Sequence, residues 1–110
     1  MIFDREDNIT IVFQENISLM TFLKNLNEGY EKIKNDHIIV NLFSFTTLTA
    51  DQVLEFLNLA NTHRKANKSF VLVTDKVSYE EVPDAINVVP TIQEARDLIE
   101  MEEIERDLEL

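Results

Sequence analysis

HIIVNLFSFTTLTADQ, residues 37–52, changes character twice, and each change marks an element of the fold. His37-Ile38-Ile39-Val40-Asn41-Leu42 is a nearly continuous apolar run rich in β-branched side chains, the pattern of a strand covered on both faces. Ser44 to Thr47 is a polar loop. Thr49, followed three residues later by Gln52, forms a capping box that opens a helix. Along that helix Ala50, Val53, Leu57, Ala60 and the stem of Arg64 form the inner stripe, with Leu54 and Phe56 on its flanks. Ser69-Phe70-Val71-Leu72-Val73-Thr74 is a second buried run. Two such strands joined by one amphipathic helix make a β-α-β crossover, and therefore a parallel pair.

On the N-terminal side, Ile9-Thr10-Ile11-Val12-Phe13 reads as a strand, with Ile2-Phe3 as a short strand before it and Glu6-Asp7-Asn8 as the turn. Leu19, Phe22, Leu23, Leu26, Tyr30 and Ile33 keep helical spacing over four turns, and Ser18 is placed to cap them. Gly29 lies inside this helix at a propensity cost of about 1 kcal/mol. On the C-terminal side, Asp75 to Glu81 is polar with room for one helical turn, and Ile86-Asn87-Val88-Val89 is a short strand ending at Pro90. Thr91 and Glu94 form another capping box and start the last helix. The predicted fold is an α/β sandwich, with a mixed sheet of four or five strands and about three main helices in a single domain spanning 1–110.

The last helix carries two apolar clusters on nearly opposite sides. Ile92, Ala95 and Ile99 make the first; Met101, Ile104 and Leu108 make the second, within an acidic extension over 101–110. The simpler reading bends the helix near Glu100 and folds the second cluster back on the domain. The sharper one makes Met101, Ile104 and Leu108 a docking or dimer stripe, hence a homodimer or an adaptor.

Composition narrows the function. Hydrophobic residues make up 45% of the chain, enough for a core and too many for disorder. The net charge of −11 repels phosphate backbones and anionic lipid, so neither nucleic acid nor a membrane is an expected partner. The basic stretch His63-Arg64-Lys65-Ala66-Asn67-Lys68 is short and reads as a helix C-terminus favouring cations. With no cysteine there is no disulfide, thiolate metal site or thiol catalysis, and with one glycine no Gly-rich phosphate cradle. The first residues lack the basic and apolar regions of a signal peptide, which makes the cytoplasm the expected location.

No nucleophile, base and oxyanion donors can be assembled from the sequence, so no enzyme and no cofactor are expected. His37 starts a strand and His63 ends a helix; both read as boundary residues rather than as ligands or bases. Glu80-Glu81-Asp84 and Glu102-Glu103-Glu105 read as solvated faces. A phosphoacceptor receiver domain needs acids at strand ends, where Val40-Asn41-Leu42 supplies only an asparagine.

The order of elements, together with Ile38 to Gln52, Lys68 to Val73 and Val89 to Ala95, resembles the STAS family of bacterial anti-sigma-factor antagonists and the cytosolic ends of sulfate transporters. The resemblance spans about residues 9–100 and implies the same fold and a protein-binding face. Regulated family members accept phosphate on a serine or threonine in an Asp-Ser-Ser-Gly-like stretch. Here that stretch reads Thr49-Ala50-Asp51-Gln52, with no hydroxyl at the acceptor position Ala50. Serine phosphorylation is therefore not expected to switch this chain, and Thr49 is expected to serve as a cap. Small acidic chains of this kind are sometimes labelled ribonuclease Z, but two histidines cannot build that enzyme's dinuclear metal site. An accessory role in RNA processing, without nuclease chemistry, is what such a label leaves.

The expected activity is non-catalytic regulatory binding of another protein. The face is Phe43, Ser44, Thr46, Thr47, Thr49 and Asp51, extended by an exposed Leu59. If alternation continued past Leu42, Phe43 and Phe45 would share one face, so one or both aromatics belong to the core. The competing class is a small-ligand carrier or minor enzyme with a pocket near Asn41, Thr74 and Lys76, at the carboxyl ends of the parallel strands.

Overall fold

The two central strands lie in the middle of the sheet because both of their faces are apolar. In the computed structural model, which describes residues 1–109, β3 (His37–Asn41) and β4 (Phe70–Val73) pair in parallel. β2 (Ile9–Phe13) flanks β3 in parallel, and β5 (Asn87–Val89) flanks β4. β1 (Ile2–Glu6) closes the other edge antiparallel to β2, longer than the two residues predicted. The sheet has five strands in the order β1-β2-β3-β4-β5. The mixed α/β architecture predicted from the sequence is the one observed, and the tail residue Leu110 lies outside the described residues.

Alternate strand residues feed two cores. Val12, Ile38, Val40, Phe70, Leu72 and Val88 face α1 (Leu19–Ile33) and the second helical layer, with Phe22, Leu26 and Phe56 filling the space between. Burying each of these large side chains stabilises the fold by roughly 1.5–3 kcal/mol. Ile11, Ile39, Val71 and Val73 face the opposite way and receive Ala95 and Ile99 of α4 (Ile92–Leu108). Helix starts follow their caps. Ser18 accepts from the Thr21 N–H and Thr91 from the Glu94 N–H, although Glu94 turns its carboxylate to the Thr91 hydroxyl.

The second helix departs from the predicted stripe. It is three segments: α2 (Ala50–Val53), a 3-10 turn (Leu54–Phe56) and α3 (Leu57–Lys65). A 3-10 turn advances about 120° per residue instead of 100°, so Phe56 comes round onto the line of Val53. From there α-helical spacing carries Leu59, Ala60 and His63 inward. Leu57 is only half-buried and Arg64 is exposed. Leu59, expected to extend an exposed face, is 7% exposed and belongs to the core. The helix ends in a Schellman motif: Asn67 takes φ 62°, its N–H reaches the Arg64 carbonyl and the Lys68 N–H reaches that of His63.

The same phase shift explains why His63 is not a boundary residue. It is fully buried, and its Nε2 lies 2.8 Å from the Asp36 carbonyl oxygen, which can only accept. Nδ1 must then accept, and the Tyr30 hydroxyl donates to it at 2.7 Å. His37 is buried too; its Nδ1 accepts from the Ser69 N–H at 2.9 Å. Both imidazoles are held neutral. Burial pushes the His63 pKa down, the bond to Asp36 opposing, with His37, Lys68 and Arg106 adding to the fall. Burial also depresses His37, with Glu103 and Glu102 opposing and Arg106 and Lys68 reinforcing.

The unfolded chain protonates these imidazoles near the ordinary pKa of about 6.5, whereas the folded chain resists. Their stabilising contribution is thus complete above that pH and is lost as pH falls towards the depressed folded values. The melting temperature is predicted to be lower at about pH 5.5 than at about pH 7.5, a window above the carboxylate titrations. His63→Gln keeps a donor for the Asp36 carbonyl but has no proton to take up, so the same scan should become shallower, leaving the share of His37. An unchanged slope in that variant would remove His63 as its source.

Candidate functional site

The loop between β3 and α2 emerges at the carboxyl ends of the parallel strands. Leu42 stays in the sheet through its N–H to the Val73 carbonyl, at 2.9 Å. The chain then turns: Phe43 donates its N–H to Asn41 Oδ1 at 3.0 Å, and Phe45 donates to the Leu42 carbonyl at 3.0 Å. The turn ends the strand alternation, so the two aromatics part company. Phe45 tucks in, its ring edge-on to Phe22 with centroids 5.5 Å apart. Phe43 stays out, 46% exposed. Ser44 anchors the loop by donating its hydroxyl to the Gln14 carbonyl at 2.8 Å.

Beyond the turn, Leu48 is buried and fixes the loop's far end, while Thr46, Thr47, Thr49 and Asp51 are exposed. Thr49 completes a full capping box. Its Oγ1 accepts the Gln52 N–H at 3.2 Å, and Gln52 Oε1 accepts the Thr49 N–H at 2.9 Å. The six residues of the expected face therefore lie together on one loop and helix start, all exposed. Met20, in the first turn of α1, is exposed at the same end of the sheet.

Asn41, Thr74 and Lys76 do not converge on a pocket. The Asn41 side chain is taken up by the Phe43 N–H, and Lys76 lies 3.6 Å from Asp75. Thr74 alone lines a cleft of about 470 Å³, whose other walls include Val77, Tyr79, Val88 and Pro90. Tyr79, on the short 3-10 turn Tyr79–Glu81, is exposed beside it. The sequence offered one hint of this, a lone aromatic in an otherwise polar stretch. Among the described residues no cluster of His, Cys, Asp and Glu could hold a metal ion, and no helix is long and apolar enough to cross a membrane.

α4 continues as one helix through Glu100 to Leu108, and its second cluster is not folded back on the domain. Met101, Ile104 and Leu108 are 58%, 54% and 81% exposed. What turns inward instead is polar. Glu102 accepts from the Ser69 hydroxyl at 2.6 Å and from the Asn87 amide at 3.4 Å, and Glu103 Oε1 lies 3.6 Å from His37 Nε2.

No protein-family model and no curated protein matches the sequence. The fold does have a solved counterpart, a serine-to-glutamate variant of Moorella thermoacetica RsbS. The two superpose with a TM-score of 0.58 over 89% of this chain and 95% of that one, at 12% identity. RsbS is a STAS-domain protein, and the likeness is one of fold: this chain has the STAS-like arrangement of a mixed five-stranded sheet and three helices.

Proposed function

We propose that the chain is a non-catalytic regulatory module that binds another protein through Phe43, Ser44, Thr46, Thr47, Thr49 and Asp51. The observation that carries this reading is the exposed ring of Phe43. A phenyl group left in water forgoes the favourable free energy of burial, and here its neighbours hold it there: Asn41 fixes its N–H and Ser44 ties the loop to Gln14. Aromatic anchors on a rigid loop are the usual energetic centres of protein interfaces. The exposed hydroxyls of Thr46 and Thr47 supply adaptable hydrogen bonds, and Asp51 adds a negative charge. The fold shared with RsbS, an anti-sigma-factor antagonist, supports a regulatory partner.

Serine phosphorylation has no acceptor at Ala50, and the neighbouring Thr49 oxygen is engaged by the helix start. Modifying Thr49 would forfeit that cap, so the face works with a constant charge from Asp51 rather than a switched one. Thr49→Ala should accordingly cost about 1 kcal/mol of stability in denaturant unfolding, the ordinary value of a lost N-cap. A cost near zero would free the hydroxyl for another role.

A second reading rests on the cleft beside Tyr79, whose apolar wall suits a small, mostly hydrophobic ligand. A thermal shift produced by such a ligand in wild type and lost in Tyr79→Ala would favour it.

For the binding reading, immobilised protein is exposed to lysate of its host and the captured proteins are quantified. Phe43→Ser should melt at the wild-type temperature and retain about tenfold less of the specific partner. Asp51→Arg, reversing the charge on the same face, should lose it as well. Equal capture by wild type and Phe43→Ser would move the interface away from this loop.

A further inference from the structure

The last two turns of α4 are inside out. Glu102, Glu103 and Arg106 are half-buried against the amino ends of the strands, whereas Met101, Ile104 and Leu108 point to solvent. Ser69, Asn87 and Asn8 each donate a hydrogen bond to Glu102 or Glu103, and Arg106 sits 3.9 Å from Glu102. These contacts set the rotation of the helix about its axis. The apolar stripe cannot roll inward without breaking them.

The stripe has i, i+3, i+7 spacing, the pattern with which one helix docks against another. Its borders have a single sign. At about 100° per residue, Glu105 and Glu109 run along one side and Glu100 and Asp107 along the other, all four exposed. Arg106, the one base between Asp97 and Glu109, faces inward. A second copy of the chain laid on this stripe would bring acids against acids, in a molecule already at −11. A helix with an apolar stripe between basic borders would bury the same surface and neutralise both rails.

We propose that Met101, Ile104 and Leu108 form a docking site for a basic amphipathic helix of a partner protein, with Glu100, Asp107, Glu105 and Glu109 as its electrostatic borders. The site lies at the amino ends of the parallel strands, opposite the Phe43 loop. It stands independently of what that loop binds.

The probe is a designed peptide of about 18 residues with leucines at helical spacing and lysines elsewhere. A counterpart carries glutamates in place of the lysines. Binding is titrated to wild type, Ile104→Ser/Leu108→Ser, Glu105→Lys and Phe43→Ser, each checked for an unchanged circular dichroism spectrum. The lysine peptide should bind wild type and Phe43→Ser alike, and the double serine variant about tenfold more weakly. Glu105→Lys should weaken it too, and the glutamate peptide should not bind. Equal affinity for wild type and the double serine variant would overturn the proposal, since net charge alone would then account for attraction. So would the absence of binding, or equal binding of the glutamate peptide. Sedimentation velocity supplies the last arm: a wild-type dimer that dissociates on Ile104→Ser/Leu108→Ser would replace the basic helix with a second copy of this chain.

Discussion

The carboxylate and carbonyl of Asp36 hold together four elements that apolar packing alone would leave free to slide. Thr10 on β2 donates its hydroxyl to the carboxylate at 2.9 Å, and Arg5 on β1 donates Nε at 2.9 Å. The carbonyl receives His63 from α3, and His63 in turn receives Tyr30 from α1. Burial pushes the Asp36 carboxyl up, but the bonds from Thr10 and Arg5, with the charges of Arg5 and Lys68, outweigh it and hold the group below the usual carboxylate range. Asp36 is therefore ionised when the protein is folded at neutral pH. A buried charge tolerates few alternative arrangements, because each donor it loses leaves it poorly solvated. Hydrophobic burial supplies stability here without direction, and the Asp36 knot supplies direction.

That knot lies at the amino ends of the parallel strands, where His37, Ser69 and the polar side of α4 also meet. The polar interior of the molecule is thereby concentrated at one end. The other end is held by turns and caps, with few buried polar groups, and presents loops whose side chains remain available. A rigid end and a presenting end follow from the same parallel sheet, since every helix after a parallel strand starts at the carboxyl side.

Much of this was legible because it is local. The runs at Ile38 to Leu42 and Phe70 to Val73 announce strands covered on both faces, and Ser18, Thr49 and Thr91 announce helix starts. The exposed face from Phe43 to Asp51 was legible as a loop and a cap. Phe43 was placed on that face, but strand alternation left open whether its ring would be buried with that of Phe45, because that depends on Leu42 being the last residue to keep the strand's alternation. Leu59 and His63 were misread for one reason. Nothing in Leu54-Glu55-Phe56 signals a 3-10 turn, and without it a uniform helical wheel rotates the inner stripe away from both. Burial of His63 further depends on a carbonyl 27 positions away in sequence, a pairing that only the folded chain brings about. On α4 the two clusters were visible, but their orientation depended on where Ser69 and Asn87 would sit.

The strand order has a consequence for how the chain can assemble. Each strand pairs only with its neighbours in sequence, from β1 through β5. No strand must wait for a later one to be inserted beside it, and no gap has to be held open in a half-made sheet. The contacts that define the sheet span one connection each, which keeps loop-closure costs small. A growing polypeptide can therefore extend this sheet in register as it emerges, each completed strand serving as the template for the next. The last helix is then the piece that seals the uncovered face, and until it arrives Ile39, Val71 and Val73 are open to water.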